Sequence, residues 1–327
     1  MTDEQQTRPL PTACGSASAA ERIVETLLMN GVEYVFCVPG ESYLAVLNAL
    51  ADVKDKIRVV SCRHEGGAAN MAEAYGKLTG RPGICMVTRG PGATHGSVGI
   101  HTAQQDSTPM IMLVGQVATG DKGRGGFQEV DYRAAFGSLA KFADELDEAD
   151  RAAELLSRAF ATAQQGRQGP VVLALPENRL KEPGGPASPA PTIPARAGLD
   201  PDALDRIRKR LLLAERPLAV LGGSGWTAAS LDALRDWAEA HHLPIALSFR
   251  RKDLLNNDHA CYVGDLGIGA NPKLIQHARS ADLILAIGAR MGELATQGYS
   301  LLTPNEASER LVHIHAGAEE IGRTWPV

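Results

Sequence analysis

The chain of 327 residues is long enough for one to three domains, and its 44% of apolar residues can fill sizeable cores. A net charge of -5 with interspersed signs argues against a nucleic-acid-binding protein, which normally carries a basic patch. No apolar run reaches the roughly 20 residues of a membrane span, and the beginning of the chain lacks the pattern of a signal peptide. Five cysteines without a CxxC pair fit buried thiols. We therefore expect a cytoplasmic protein without nucleic-acid or membrane partners.

The first half of the chain alternates between helix and strand signals. Apolar residues repeat at helical spacing in "SAAERIVETLLMNG", "YLAVLNALAD", "EGGAANMAEAYGKLTG", "VGIHTAQQDS" and "DRAAELLSRAFATAQQG". Short β-rich runs stand between and after them, in "VEYVFCVPG", "KIRVVSC", "PGICMVTRGPG", "PMIMLVGQ" and "GPVVLALP". Short apolar strands that alternate with helices are typical of a parallel sheet covered on both faces.

A proline-rich stretch, "PENRLKEPGGPASPAPTIPARAG", separates this half from a second alternating half. There, helices are predicted in "PDALDRIRKRLLLAE", "AASLDALRDWAEAHH" and "NPKLIQHARSA", and strands in "PLAVLGGSG", "LPIALSF", "DLILAIGAR" and "RLVHIHA". We predict an α/β protein with two doubly wound, Rossmann-like parallel-sheet domains joined by a Pro-rich linker. The predicted segments are a flexible N-terminus at 1–15, a first domain at 16–180, the linker at 181–198 and a second domain at 199–327.

Four loops that follow strands of the first half could carry chemistry. They hold Pro39 and Gly40, then Glu65, then "TRGPGATH", then "GQVATGDKGRGGFQEVD". Because ligands bind at the carboxyl ends of parallel strands, we expect these loops to share one edge of the sheet and to form a cofactor site. Taken alone, Glu65 is better explained as a helix N-terminal carboxylate and His64 as a loop histidine with a local hydrogen bond. No cluster has convincing metal-ligand spacing, and neither a P-loop nor a GxSxG motif is present.

Two segments of the second half suit a bound phosphate or dinucleotide. "VLGGSGW" holds Gly222 and Gly223 between a predicted strand and a predicted helix, and "AIGARMGE" puts Arg290 at another strand end. Turn glycines with a surface arginine explain the same residues equally well.

Together, the motifs "VPG", "RHEGGAANMAEAYGKLTGRPG", "TRGPGATH", "TAQQDSTPMIMLVGQVA" and "FQEVD" resemble the thiamine-diphosphate-dependent enzymes of the acetolactate synthase group. The resemblance runs from about residue 16 to 327 and implies a pyrimidine-binding domain followed by a middle domain. Glu65 matches the family's cofactor-activating glutamate, which hydrogen-bonds a ring nitrogen of the aminopyrimidine. The other residues that the resemblance places near the pyrimidine are Pro39, Gly40, Thr88, Pro91, Gly92 and His95. Phe127 and Gln128 match the loop that lines the substrate channel, and we count Gln128 with Glu65 as catalytic.

The resemblance implies an enzyme that uses thiamine diphosphate and Mg²⁺ to decarboxylate or join pyruvate-like 2-keto acids, assembled as a homo-oligomer. Arg167 and Arg290 match arginines that contact FAD in the synthases, so FAD or another nucleotide is a candidate ligand of the middle domain. The chain departs from the synthase pattern in several places: Glu41 and Ser42 replace glycine and alanine, His95 replaces asparagine, Glu177 replaces lysine, and "HIHAGAEE" replaces "HIDID".

No segment matches the Gly-Asp-Gly motif and downstream asparagine with which the family holds the diphosphate through Mg²⁺. The one similar pair, in "VGDLGIGANP", lies in the middle domain, with Asn271 far too close. We therefore expect this chain alone to bind thiamine diphosphate weakly and to be nearly inactive, because it needs a diphosphate- and Mg²⁺-binding domain. The alternative is a non-catalytic nucleotide-binding or regulatory subunit that pairs with a separate partner chain. A stand-alone oxidoreductase is a weaker one, because the first domain lacks GxGxxG.

Overall fold

The computed structural model describes residues 17–327, and the predicted flexible segment 1–15 lies outside them. Two parallel sheets organise these residues. The first contains β1 (Tyr34–Cys37), β2 (Arg58–Ser61), β3 (Gly83–Val87), β4 (Met110–Gln116), β5 (Phe142–Glu145) and β6 (Pro170–Pro176), in the spatial order β2-β1-β3-β4-β6-β5. The second contains β7 (Pro217–Leu221), β8 (Ile245–Ser248), β9 (Tyr262–Leu266), β10 (Leu283–Ile287) and β11 (Leu311–Ile314), in the order β11-β10-β7-β8-β9. Every strand pairing within the two sheets is parallel, which confirms the predicted fold class.

Helices cover both faces of each sheet. The first half has α1 (Ala19–Met29), α2 (Leu44–Ala51), α3 (Glu65–Thr79), α4 (Pro91–Asp106), α5 (Tyr132–Phe136) and α6 (Ala152–Gln164). The second has α7 (Pro201–Leu213), α8 (Ala228–His241), α9 (Pro272–Ser280) and α10 (Pro304–Arg310). In the first half, α1, α2 and α6 share one apolar core with the sheet, and α3, α4 and α5 share the other. In the second, α9 and α10 pack on one face, and α7 and α8 on the other. None of the helices in residues 17–327 combines the length and apolar character needed to cross a bilayer.

Four elements escaped the sequence prediction because their signals are weak, one of them the short strand β9 with the sequence "YVGDL". The strand β5 has the charged sequence "FADE" and pairs only with β6 at the edge of the sheet. The helices α5 and α10 have five and seven residues, too few to show a clear helical period. The helix α4 begins at Pro91, earlier than its apolar pattern indicated, because proline suits the first helical position.

The proline-rich segment lies against the first helix. Pro183 forms an isolated bridge with Ser18, and the Thr192 N–H donates to Asn30 Oδ1 at 2.9 Å. Arg22 Nε donates to the Gly185 carbonyl at 2.9 Å. These contacts hold much of the stretch on the surface of the first half. The domain division itself stays a prediction.

Two neighbouring helices, α3 and α4, pack closely enough to require a glycine between them. A Cβ added at Gly99 would lie 2.5 Å from Ala69 Cβ and 2.7 Å from the Ala69 carbonyl carbon. We expect Gly99→Ala to lower the free energy of unfolding by about 1–3 kcal/mol, because the helices must move apart. Gly67→Ala is the matched control: nothing lies within 4 Å of its Cβ position. It should gain roughly 0.5–1 kcal/mol, because alanine is the better helix former. Urea denaturation measures both, and equal effects of the two substitutions would contradict the packing argument.

Candidate active site

The carboxyl ends of neighbouring strands bring the predicted residues to one edge of the first sheet. Glu65 is the first residue of α3, the helix that follows β2. His64 caps this helix: its Nδ1 accepts a hydrogen bond from the Gly66 N–H at 3.0 Å. The helix-terminal interpretation of Glu65 and the local hydrogen bond of His64 are therefore both correct. Neither excludes a role for Glu65 toward a ligand, because its side chain stays 14% exposed.

The carboxylate of Glu65 has one oxygen engaged and one free. Its Oε2 lies 3.0 Å from His95 Nδ1 on the neighbouring helix α4. The other oxygen, Oε1, accepts no hydrogen bond within residues 17–327 and points toward Gly92, whose Cβ position is 3.5 Å away. The free oxygen thus faces the backbone of Gly92, from which no side chain projects.

Small residues shape the rest of this pocket. A Cβ on Gly92 would lie 2.8 Å from Thr88 Cγ2, and one on Gly40 would lie 2.7 Å from Thr88 Cβ. Thr88 Oγ1 is fixed by a 2.9 Å hydrogen bond with Ser42 Oγ. A side chain at Gly92 would press on Thr88 and approach the Glu65 carboxylate, and one at Gly40 would press on Thr88 and Tyr43. Gly92 therefore leaves the Glu65 carboxylate uncovered on this side, where a polar atom of a ligand could approach it.

The remaining first-half candidates lie around the same edge. Pro39 and Pro91 are exposed, the first just after β1 and the second as the first residue of α4. Gln128 adopts a left-handed backbone with φ of 63° and packs on Gly90, whose Cβ position lies 2.8 Å from Gln128 Cβ. The Gly90 N–H donates to the Tyr132 hydroxyl at 2.8 Å, so the loop after β4 is tied to the loop after β3.

A charged network that the sequence did not reveal joins three of these loops. Arg89 donates to Glu41 Oε1 at 3.0 Å and to Glu177 Oε2 at 3.4 Å. Its guanidinium carbon lies 5.9 Å from the centre of the Phe127 ring, which is itself 71% exposed. Two of the departures from the synthase pattern, Glu41 and Glu177, are thus partners of one buried arginine. Because Glu41 and Glu177 are far apart in the sequence, their shared contact with Arg89 could not be predicted.

His64, Glu65 and His95 are also near enough to resemble a metal site, since one ligand atom of each lies within 4.8 Å of the others. Their hydrogen bonds argue against that use. Since His64 Nδ1 accepts the Gly66 N–H, the neutral ring carries its proton on Nε2 and has no free lone pair. His95 Nδ1 is engaged with Glu65, so Nε2 of His95 is the one lone pair that the two neutral rings could offer to a metal. The arrangement favours a held carboxylate over a metal centre.

In the second half, the glycines predicted to bind phosphate pack against protein backbone. A Cβ on Gly222 would lie 2.9 Å from the Ala289 Cα, and Gly223 abuts the Gly288 carbonyl oxygen. A cavity of about 440 Å³ opens beside them, between the end of α4 and the second sheet. Its walls include His101, Asp106, Gly223, Arg250, Arg290 and Tyr299.

The two arginines that the resemblance assigns to FAD meet on a residue that the sequence analysis did not single out. Arg167 Nη1 lies 3.5 Å and Arg290 Nε 3.7 Å from the carboxylate of Glu320, whose side chain is only 2% exposed. Arg323 adds a third contact at 3.1 Å. Burial, reinforced by the nearby Arg290 charge, lowers the pKa of Arg167 to about 10. A phosphate would have to share these guanidinium groups with Glu320.

Two histidines, His313 on β11 and His315 just after it, provide a pH test. His313 Nε2 lies 2.8 Å from the Ala289 carbonyl oxygen, and the Gly317 N–H donates to His315 Nδ1 at 2.9 Å. Burial is the main cause that lowers the pKa of both rings below the usual value of about 6.5. The unfolded chain therefore binds protons first as the pH falls, so this contribution to stability is present above about pH 6.5 and is lost below it. We expect the free energy of unfolding to drop from about pH 7.5 to about pH 5.

The double variant His313→Gln/His315→Gln should show a smaller drop over the same pH range. Urea denaturation at the two pH values measures it. The exposed His241 supplies the control variant, His241→Gln, which should retain the full drop. An equal drop in the double variant would show that other groups cause the acid sensitivity.

Comparison with known proteins identifies both halves. Residues 17–135 match the family described as thiamine pyrophosphate enzyme, N-terminal TPP binding domain. Residues 204–327 match its central domain. The chain belongs to the thiamine pyrophosphate enzymes. Within this family, it is 31% identical over 321 residues to the acetolactate synthase large subunit of Parasynechococcus marenigrum (strain WH8102), covering 94% of this chain and 50% of the relative.

Two further relatives lead to the same group. The chain is 32% identical over 318 residues to the acetolactate synthase isozyme 3 large subunit of Escherichia coli (strain K12), with 94% of this chain and 54% of the relative covered. It is also 32% identical over 320 residues to an acetolactate synthase large subunit of Haemophilus influenzae, with 95% and 54% covered. This thiamine pyrophosphate enzyme chain therefore spans about half the length of the curated relatives that it matches.

Proposed function

We propose that this chain forms the pyrimidine-activating part of a thiamine-diphosphate-dependent, acetolactate synthase-like enzyme that decarboxylates or joins pyruvate-like 2-keto acids. The observation that carries the proposal is the free Oε1 of Glu65, which faces the glycine wall at Gly92. The relatives support it, since they are acetolactate synthases that match this chain over both halves. They favour an enzyme over a regulatory subunit.

The residues of the chain have separate tasks in this proposal. Glu65 shares a proton with a ring nitrogen of the aminopyrimidine and so sets the tautomer of the ring. Gly40, Thr88 and Gly92 border the ring beside the carboxylate. Gln128, on the loop that borders the pocket, contacts the 2-keto acid. The chemistry supplied by bound thiamine diphosphate is a carbon nucleophile and an electron sink for the loss of carbon dioxide.

The diphosphate and Mg²⁺ require other residues. Within residues 17–327, the buried Arg89 near Glu65 is not free for them, because it is engaged by Glu41 and Glu177. We place the diphosphate and Mg²⁺ on a further domain or on another subunit, in a homo-oligomer. For the middle domain, Gly222, Gly223, Arg167 and Arg290 remain our candidate contacts for FAD or another nucleotide.

The test is release of carbon dioxide from pyruvate with Mg²⁺ and thiamine diphosphate. The protein as its native gene encodes it should turn over, and the 327-residue chain alone should be nearly inactive. If the native gene product binds thiamine diphosphate but turns over no 2-keto acid, the enzyme proposal fails. Full turnover by the 327-residue chain would instead refute the placement of the diphosphate site elsewhere.

A further inference from the structure

We propose that His95 is the positioning residue of Glu65: its Nδ1–H donates to Oε2 and thereby holds Oε1 toward the glycine-walled pocket. The inference rests on the proposed function for its catalytic consequence and on geometry for the contact itself. The two atoms lie 3.0 Å apart, and His95 comes from the second turn of α4. No other hydrogen bond to the Glu65 carboxylate exists within residues 17–327.

The hydrogen bonds determine which nitrogen of each ring carries the proton. A carboxylate only accepts, so His95 must donate from Nδ1, and the neutral ring has its lone pair on Nε2. His64 has the opposite tautomer, with its proton on Nε2, because its Nδ1 accepts from the Gly66 N–H. The two rings stack with centroids 4.8 Å apart and an interplanar angle of 26°. The stack holds the His95 ring beside the helix terminus that carries Glu65.

The spacing of α3 and α4, the helices that carry Glu65 and His95, is fixed as well. Gly99, one turn after His95, packs directly on Ala69, one turn after Glu65. The distance between the two side chains is therefore set by the contact of α3 with α4. A free glutamate at a helix start would sample several rotamers, whereas a single hydrogen bond to a fixed ring selects one. Misplacement of a catalytic group by about 1 Å can cost about 10²-fold in rate.

This role needs only an N–H donor at position 95. His95→Asn provides an amide N–H and should retain the contact, whereas His95→Ala removes it. His95 is 53% exposed, and alanine is a good helix former, so neither variant should unfold the chain. The pair of variants separates the hydrogen bond from the bulk of the ring.

Side-chain ¹⁵N NMR of the 327-residue chain reads the tautomers directly, without cofactor or substrate. We expect His95 as the Nδ1–H tautomer and His64 as the Nε2–H tautomer, and we expect Glu65→Ala to abolish the preference of His95 alone. A wild-type His95 that is mainly the Nε2–H tautomer would overturn the proposal, whatever the enzyme does.

Kinetics of the native gene product test the consequence. We expect His95→Ala to lower kcat for pyruvate by roughly 10- to 10²-fold, with a smaller change in the affinity for thiamine diphosphate, and His95→Asn to restore most of the loss. Equal kcat values for His95→Ala and the wild type would overturn the positioning role. If the wild type itself has no turnover, the proposed function fails, and the tautomer measurement still decides the contact.

Discussion

Replacement of Glu65 by glutamine is expected to lower turnover of a 2-keto acid by roughly 10²- to 10⁴-fold, the usual contribution of a positioned acid or base. The substitution keeps the volume of the side chain and leaves an amide oxygen that can still accept the His95 Nδ1–H. It replaces the free oxygen, Oε1, with an NH₂ group. That group cannot exchange a proton with the ring nitrogen, so only the proton-sharing function is lost.

The measurement is steady-state decarboxylation of pyruvate by the native gene product, together with thiamine diphosphate affinity and the midpoint of thermal unfolding. We expect kcat to fall while the midpoint changes little, because within residues 17–327 Glu65 makes no salt bridge other than its contact with His95. The control is Glu33→Gln, which removes an exposed carboxylate 3.0 Å from Arg81, on a loop that carries none of the candidate site residues. It should leave kcat unchanged. A Glu65→Gln variant with wild-type turnover would remove the basis of the proposed function.

The location of the candidate site, at the carboxyl ends of the strands of the first sheet, could be predicted from the sequence because it depends on local patterns. Short apolar runs indicated the strands, and the parallel arrangement places the ends of β1, β2, β3 and β4 on one edge. Glu65 and the glycine-rich turn before α4 therefore came together as expected. The chemical role proposed for Glu65 comes from the resemblance alone, because the pattern explained this residue as a helix N-terminal carboxylate.

The contacts that orient these residues could not be predicted, because they join distant parts of the chain. The partners of Arg89 follow β1 and β6, and only the strand order brings Glu41 and Glu177 to the same guanidinium. Tyr132 lies on a helix too short to detect, yet it fixes Gly90. The hydrogen bond from His95 to Glu65 depends on how closely two helices pack, and the sequence indicates that distance only through Gly99.

Glu320 is the clearest case of a residue hidden from the sequence, and its replacement should have the largest effect on stability. We expect Glu320→Gln to lower the free energy of unfolding by about 3–5 kcal/mol, the usual loss when one partner of a buried ion pair is removed. The lower end is expected, because Arg323 is 58% exposed and keeps its hydration. Arg167 cannot do so, since its side chain is only 10% exposed.

This loss of stability should arise where the two halves of the chain are in contact. Arg167 Nε donates to Ser107 Oγ at 3.0 Å, and Arg290 Nη1 donates to the Gln105 carbonyl at 3.0 Å, so both arginines reach the C-terminal end of α4. The partial negative charge of a helix C-terminus favours cations there. It cannot replace the full charge of Glu320. Without that carboxylate, two guanidinium groups would repel each other in a poorly hydrated space.

Urea denaturation monitored by tryptophan fluorescence measures the loss, because all three tryptophans lie in the second half. Glu319→Gln is the matched control: it removes the same charge at the neighbouring, exposed position and should change stability by no more than about 0.5 kcal/mol.

A double-mutant cycle tests the pairing of Glu320 with Arg167. Arg167→Met should lower the free energy of unfolding less in the Glu320→Gln background than in the wild type, because it removes the uncompensated guanidinium charge. Independent, additive costs would show that Glu320 and Arg167 are neighbours without being partners. The arginines would then be free for a nucleotide phosphate, as the family resemblance implies.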